Sequence, residues 1–282
     1  MSAGSPRLSR RAAEYAFLVF CWLATGLALV ALAAILWALF KQGVGGLNLA
    51  VFTRSTPAPG SEGGLLNAIL GSVMMCVVAM AGAVAVGVMA GTWLAEFAKD
   101  SAYGKVVRFV NDVLLSAPSI LVGLFVYELL VRPMKGFSGY AGAAALALLA
   151  IPVIVRTTED VLRLQPVALR EASVALGAPV WKTILAVVWK AAQGGMLTGA
   201  LLAFARISGE TAPLLFTALN NQFLSLDLGK PTANLPVVIF QYALSAYDDW
   251  RRLAWAGAML IAVAVLAVTI IARLSTREPK RS

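Results

Sequence analysis

The chain contains no histidine and only two cysteines among its 282 residues. The absence of histidine excludes imidazole catalysis and histidine-ligated metal sites. Cys21 and Cys76 each lie in an apolar stretch without a partner motif. We interpret both as small core residues rather than as a disulfide or a metal site, so no metal is expected in this chain.

Charged residues are also scarce. They make up 13% of the chain, whereas 60% is hydrophobic and the mean hydropathy is +0.82. Soluble domains carry about 25% charged residues, and a membrane helix needs roughly 20 apolar ones. The alternating ten-residue pattern of membrane barrels is absent. We therefore predict an all-α integral membrane protein with six transmembrane helices, at approximately 15–40, 66–96, 111–131, 140–155, 191–216 and 253–273.

Lysine and arginine are distributed unevenly around these six runs. With both termini inside, the cytoplasmic segments carry three in the N-terminal segment, three in the second loop, five in the fourth loop and four in the tail, against seven outside. The positive-inside rule favours this orientation. Charge beside helix ends is explained by topology, so no nucleic-acid partner is expected. The first apolar run is longer than a cleaved signal segment of about 7–15 residues, which predicts an uncleaved helix.

The chain divides into a peripheral N-terminal part and a core. Residues 1–64 contain the N-terminal segment, the first helix and a Gly-, Ser- and Pro-rich external loop. Residues 65–275 form the predicted core domain, with a cytoplasmic loop at about 156–190 and a tail at 276–282. Pro118 should kink or break the third helix. Gly87 and Gly91 form a GxxxG pattern, which we interpret as helix packing within this chain.

The long cytoplasmic loop carries a short polar helix that ends at a glycine. Glu171-Ala172-Ser173 and, three residues later, Gly177 resemble the EAA loop of ABC-importer permeases. In that family the loop is a coupling helix that docks into a cleft of the ATPase. Ala172 and Ser173 are small enough for close approach, Arg170 and Glu171 offer polar contacts, and Gly177 permits a sharp turn. The second half of the family pattern is degraded here, at 187–190.

Two charges lie in the fifth apolar run. Arg206 and Glu210 are four residues apart, which places them on one face of the predicted helix. Intramembrane charges are costly and face a bundle interior or water. A guanidinium suits a tetrahedral oxyanion, since it offers two parallel donors. A pair that only locks helices together remains equally compatible with this pattern.

The same region carries a more specific resemblance. Residues 206–217, R-I-S-G-E-T-A-P-L-L-F-T, resemble a segment of the PstA-type permeases of phosphate ABC importers. The stretches at 63–72, 94–96, 117–125 and 169–172 are similar to the same family. The resemblance implies substrate-path roles for Arg206, Glu210 and Thr211, and ATPase-coupling roles for Arg170, Glu171, Ala172, Ser173 and Gly177.

The resemblance also implies an assembly in a bacterial inner membrane. This chain would have the type I importer permease fold. It would pair with a PstC-type permease, two PstB-type ATPase subunits and an external PstS-type phosphate-binding protein. The chain lacks the G-x4-G-K-[ST] phosphate loop. We therefore expect no cofactor in this chain and no ATPase activity of its own, with ATP and magnesium held by the partner ATPase.

Three other functions remain to be compared. A permease for sulfate, molybdate or phosphonate is the nearest alternative, although the 206–217 segment argues against it. An integral membrane enzyme would usually show a cluster of polar or metal-binding residues at a membrane boundary, and the sequence shows none. A purely structural membrane subunit would not associate with an ATPase.

Overall fold

The chain folds into helices connected by short segments. The computed structural model describes residues 6–275, and the predicted tail at 276–282 lies outside them. In chain order the helices are α1 (Pro6–Gly46), α2 (Leu49–Thr53), α3 (Leu66–Trp93), α4 (Ala102–Ser116), α5 (Ser119–Val126), α6 (Arg132–Met134), α7 (Gly139–Arg163), α8 (Val167–Ala175), α9 (Val180–Thr183), α10 (Trp189–Ser208), α11 (Ala212–Thr217), α12 (Leu235–Ala243) and α13 (Asp248–Ser275).

Three π-helical turns connect some of these helices into longer rods. Leu94–Ala98 extends α3, Tyr127–Val131 joins α5 to α6, and Ile184–Val188 joins α9 to α10. Five helical rods in the described region are long and apolar enough to cross a membrane, and a bent pair at 102–134 makes a sixth. The predicted all-helical fold with six spans is confirmed.

The third span is bent in its middle. The α4 helix ends at Ser116, α5 begins at Ser119, and the two are inclined by 105°. Ala117 has an extended backbone because the residue before a proline is disfavoured in the helical region. The predicted break at Pro118 is confirmed.

The central helices α3 and α7 run parallel along a line of small residues. Gly142 lies beside Met75, Gly87 beside Ile154 and Gly91 beside Thr158. A Cβ added to Gly87 would come within 2.8 Å of the Ile154 side chain, so this approach requires glycine. The interpretation of Gly87 and Gly91 as packing residues within the chain is confirmed.

The α10 helix completes the core in the antiparallel direction. Gly195 contacts Val161 and Gly199 contacts Thr157, so α10 runs in the direction opposite to α7. Side chains of α3, α7 and α10 form the main core cluster, which includes Met75, Leu146, Leu149, Ile154, Ala203 and Ile207. By contrast, the most apolar part of α1 is not buried against the rest of the described chain. The α1 helix contacts α13 near Gly43 and Gly46.

Two predicted boundaries were wrong. The fourth span covers Gly139–Arg163 rather than 140–155, because α7 continues through its polar cytoplasmic end. The fifth covers Val180–Ser208 rather than 191–216. The cytoplasmic segment between α7 and α9 is therefore 164–179, about half the predicted loop.

Candidate coupling site and transport path

The short helix α8 lies at one end of the bundle, between the fourth and fifth candidate spans. Pro166 precedes its first residue, and Gly177 follows its end with φ +80°. The amide of Ala178 donates to the Ser173 carbonyl at 3.2 Å, and that of Gly177 donates to the Val174 carbonyl at 2.8 Å. These two bonds form a Schellman cap, whose left-handed residue is glycine in most proteins. The predicted glycine-terminated helix is therefore present.

One face of α8 is turned towards the chain's own spans. The Arg170 guanidinium pairs with the Glu96 carboxylate through Nε–Oε2 at 3.0 Å and Nη2–Oε1 at 2.5 Å. It also donates to the carbonyls of Leu162 and Gln165, each at 2.9 Å. The hydrogen bond to Glu96 raises the pKa of Arg170 above its ordinary value, so the guanidinium is a permanent cation here. The sequence argument had given Arg170 a contact with the ATPase, whereas its donors are used within the chain.

Ser173 lies on the same inward face, one turn further along. Its hydroxyl shares a hydrogen bond of 2.9 Å with the Thr183 hydroxyl, and both residues are buried. Ser173 is the buried residue of α8. The predicted role of Ser173 in ATPase coupling stays a prediction. In the structure its side chain connects α8 to the start of the fifth span.

The rest of α8 is open. Glu171 and Ala172, on the face opposite Arg170 and Ser173, are exposed, and so are apolar side chains elsewhere on α8 and beside its ends. Leu176 is 89% exposed and Trp181 is 65% exposed, although both flank a charged, cytoplasm-facing segment on the predicted topology. Contiguous exposed apolar surface outside the bilayer marks an interaction site. We call this surface the docking face, and its apolar members are Leu164, Val167, Val174, Leu176, Val180 and Trp181.

A second ion cluster lies beside the first. Glu159 is 3% exposed and accepts from Arg108 Nε at 2.7 Å and from Arg163 Nη2 at 2.8 Å. Arg108 also donates to the Leu94 carbonyl at 3.1 Å, so it joins α4 to both α7 and the end of α3. Arg170 lies 74 residues from Glu96 and Arg108 lies 51 residues from Glu159, so no local pattern reveals these two pairs. The Arg163–Glu159 pair, by contrast, is local, with a spacing of four residues.

The substrate-path candidates lie at a break in the fifth span. The α10 helix ends at Ser208, and α11 begins at Ala212 with Pro213 in its first turn. A proline is tolerated there but would clash inside a continuous helix, so Gly209, Glu210 and Thr211 form the connection. The premise of one continuous helix through Arg206 and Glu210 is wrong. Gly209 and Pro213 were the sequence signals for this break.

Arg206 and Glu210 do not pair. Both side chains are half-buried, as is Thr211. Within residues 6–275, the ion pairs and hydrogen bonds of the structure include neither charged side chain. Arg206 lies midway in sequence between Gly199, which contacts Thr157, and Leu214, which packs near Gly142. It is therefore near the middle of the α7 length.

The helix break is held in place by the bend of the third span. A Cβ on Gly123 in α5 would come within 2.6 Å of the Pro213 Cα, so the two backbones touch. Thr217 is buried and donates to the Pro213 carbonyl at 2.8 Å. The stretches 117–125 and 206–217, which sequence analysis treated separately, thus meet at one place.

The comparisons with known proteins agree along most of the chain. The family model described as binding-protein-dependent transport system inner membrane component matches residues 87–280. The phosphate transport system permease protein PstA of Haemophilus influenzae is 54% identical over 87% of each chain. The protein of the same name from Pasteurella multocida is 52% identical over 91% of this chain and 92% of its own.

A solved structure supports the fold independently. The chain resembles a bacterial alginate ABC transporter, solved with a pentasaccharide-bound periplasmic protein, with a TM-score of 0.66. The match covers 95% of this chain and 96% of that one at 12% identity. At this identity the similarity concerns the architecture alone.

Proposed function

Because the chain belongs to the binding-protein-dependent transport system inner membrane component family, and within it to the PstA permeases, we propose that it is the membrane-spanning permease subunit of an ATP-driven phosphate importer. Its fold is that of type I ABC-importer permeases. The observation that carries the substrate assignment is identity above 50% to relatives named for phosphate transport, along nearly the whole of both chains.

The transport path, in this proposal, passes the helix break. Arg206 is a half-buried cation at membrane depth without a partner in the described part of the chain. An isolated charge in this position is costly, and such charges line substrate pathways in membrane proteins. The guanidinium supplies two parallel donors for a phosphate oxyanion. Glu210, on the connection beside it, offsets this attraction and keeps the anion weakly bound, as release requires, and Thr211 next to it is the third candidate for the path.

The energy input, in this proposal, arrives at the docking face. An ATPase dimer binds Glu171, Ala172 and the exposed apolar side chains around them, while Gly177 fixes the end of the helix. ATP and magnesium belong to that partner, because this sequence lacks a phosphate loop. A second, PstC-type permease and an external PstS-type binding protein complete the importer.

The orientation that this function needs places both termini in the cytoplasm of a bacterial inner membrane. Six spans put the termini on one side, and the lysine and arginine bias selects the inside. In a chain lacking Cys21 and Cys76, an impermeant thiol reagent should label Ser61→Cys from outside and Glu171→Cys only from inside. Glu171 is the better inner site because Ser173 is buried. The reverse labelling pattern would contradict this orientation.

Uptake by the reconstituted complex tests the function itself. Proteoliposomes holding the importer, with ATP inside and the binding protein outside, should accumulate radiolabelled phosphate. Excess sulfate, molybdate or a phosphonate should compete poorly. Uptake of one of these anions in place of phosphate would establish the alternative oxyanion permease. A chain that purifies from the membrane without an ATPase would favour a purely structural subunit.

A further inference from the structure

The coupling helix α8 is too short and too exposed to hold its own position. It has nine residues, and isolated helices below about 12 residues are marginal in water. Its buried residue is Ser173, a small polar side chain. A hydrophobic core therefore does not fix α8 to the bundle. The polar contacts of its inward face must do so.

Arg170 makes the larger of these contacts and reaches three elements at once. Its guanidinium lies on α8, its carboxylate partner Glu96 lies on the π-helical end of α3, and two carbonyl acceptors follow the last turns of α7. The Leu162 carbonyl also accepts from the Gln165 amide at 3.2 Å, so Arg170 binds at the turn where α7 ends. One side chain thus closes the α7 terminus and joins it to α3.

The ion pair is shielded from water. The Glu96 side chain is 11% exposed and that of Arg170 is 23% exposed. A bidentate arginine–carboxylate pair has fixed geometry as well as charge, unlike a lysine contact. By comparison, the Arg132–Glu128 pair on the other side of the bundle is more than half exposed on both side chains. An exposed pair of that kind contributes little to stability.

We propose that Glu96 is a positioning residue of the importer, which acts through Arg170 to make α8 move as one body with the ends of α3 and α7. A displacement of the docking face then reaches α3, which lies along the whole length of α7. Without Glu96 the ATPase still binds α8, but α8 shifts relative to the bundle and its displacement is not transmitted to α3. This inference rests on the proposed function, and it concerns the efficiency of coupling rather than the identity of the substrate.

The test is the number of phosphate ions taken up per ATP hydrolysed, measured on the assembled complex in proteoliposomes. Glu96→Gln keeps the size of the side chain and removes its charge, and it should lower this ratio roughly tenfold, within the range reported for coupling residues. ATP hydrolysis should persist. Arg170→Lys keeps the charge and loses the fork, and should also lower the ratio. Glu128→Gln, the matched control, should leave it unchanged.

The outcomes separate this inference from the function on which it rests. A merely structural pair would reduce the amount of assembled complex and leave the ratio per complex at the wild-type value. The double variant Glu96→Gln with Arg170→Gln should be no worse than the worse single variant, since the two residues act as a unit. Wild-type ratios in assembled Glu96→Gln and Arg170→Lys complexes would overturn the inference. Absence of phosphate uptake by the wild-type complex would instead overturn the proposed function.

Discussion

The end of the bundle beside α8 and the middle of the bundle differ in how their charged residues are partnered. At the α8 end Glu96 and Glu159 are largely buried, and each pairs with arginine. In the middle, Arg206 and Glu210 are half-buried and neither has a partner within the described residues. Paired buried charges hold elements in a fixed geometry. Unpaired ones cost free energy, so their presence indicates a role outside the folded chain, such as a substrate or a second permease.

The largest expected effect comes from breaking a pair at the α8 end. Glu159→Ala leaves Arg108 largely buried without its carboxylate, and removal of one partner of a buried pair costs about 3–5 kcal/mol. Unfolding of the purified chain in detergent should show this loss. Glu128→Ala, which breaks an exposed pair, should change stability by less than about 1 kcal/mol. Equal losses of stability in the two variants would contradict the expectation that the buried pair stabilises the fold more than the exposed pair does.

Substitution of the unpaired cation should affect transport rather than stability. Arg206→Gln should lower phosphate uptake roughly tenfold to hundredfold, equivalent to about 1.5–3 kcal/mol for a hydrogen bond to a charged group. Arg206→Lys should retain part of the uptake, because it keeps the charge and loses the fork. Assembly should persist in both, since no ion pair is broken. Loss of the folded complex would assign Arg206 a structural role.

The end of the docking helix should show a smaller effect. Gly177 has φ +80° with open space around its Cα, so a side chain there meets backbone strain rather than a clash. Gly177→Val should cost about 1–3 kcal/mol locally and uncouple ATP hydrolysis from uptake. Gly177→Asn is the matched control, because asparagine tolerates the left-handed region better. Normal uptake and normal stimulated hydrolysis in the valine variant would exclude this cap from coupling.

The smallest effect should come from the hydroxyl pair. Ser173→Ala removes one hydrogen bond and leaves the Thr183 hydroxyl buried, at a cost of about 1–3 kcal/mol at most. The ratio of uptake to hydrolysis should fall less than in Glu96→Gln, since Arg170 still anchors α8. If Ser173→Ala lowers the ratio of uptake to hydrolysis more than Glu96→Gln does, the main contact that holds α8 in place is the one with Thr183 on α9 rather than the one with Glu96 at the end of α3.

Local signals predicted much of this architecture. The apolar runs predicted six spans, Pro118 predicted the bend of the third, and Gly177 the end of α8. The break at Gly209 was missed because 191–216 is apolar enough overall to be counted as one span, although Pro213 was a usable sign. The Glu96–Arg170 and Arg108–Glu159 pairs were missed for a different reason. They depend on how α3, α4 and α7 pack, and hydropathy does not specify which distant charges meet.

The contrast between paired and unpaired charges is tested most directly at the helix break, by phosphate uptake per assembled complex in a double-mutant cycle. The variants are Arg206→Gln, Glu210→Gln and the two together. Because the two side chains are not in contact, the double variant should assemble and take up phosphate as poorly as Arg206→Gln alone. Near-normal uptake by a well-assembled double variant would contradict the account, since it would show that the two charges only neutralise each other.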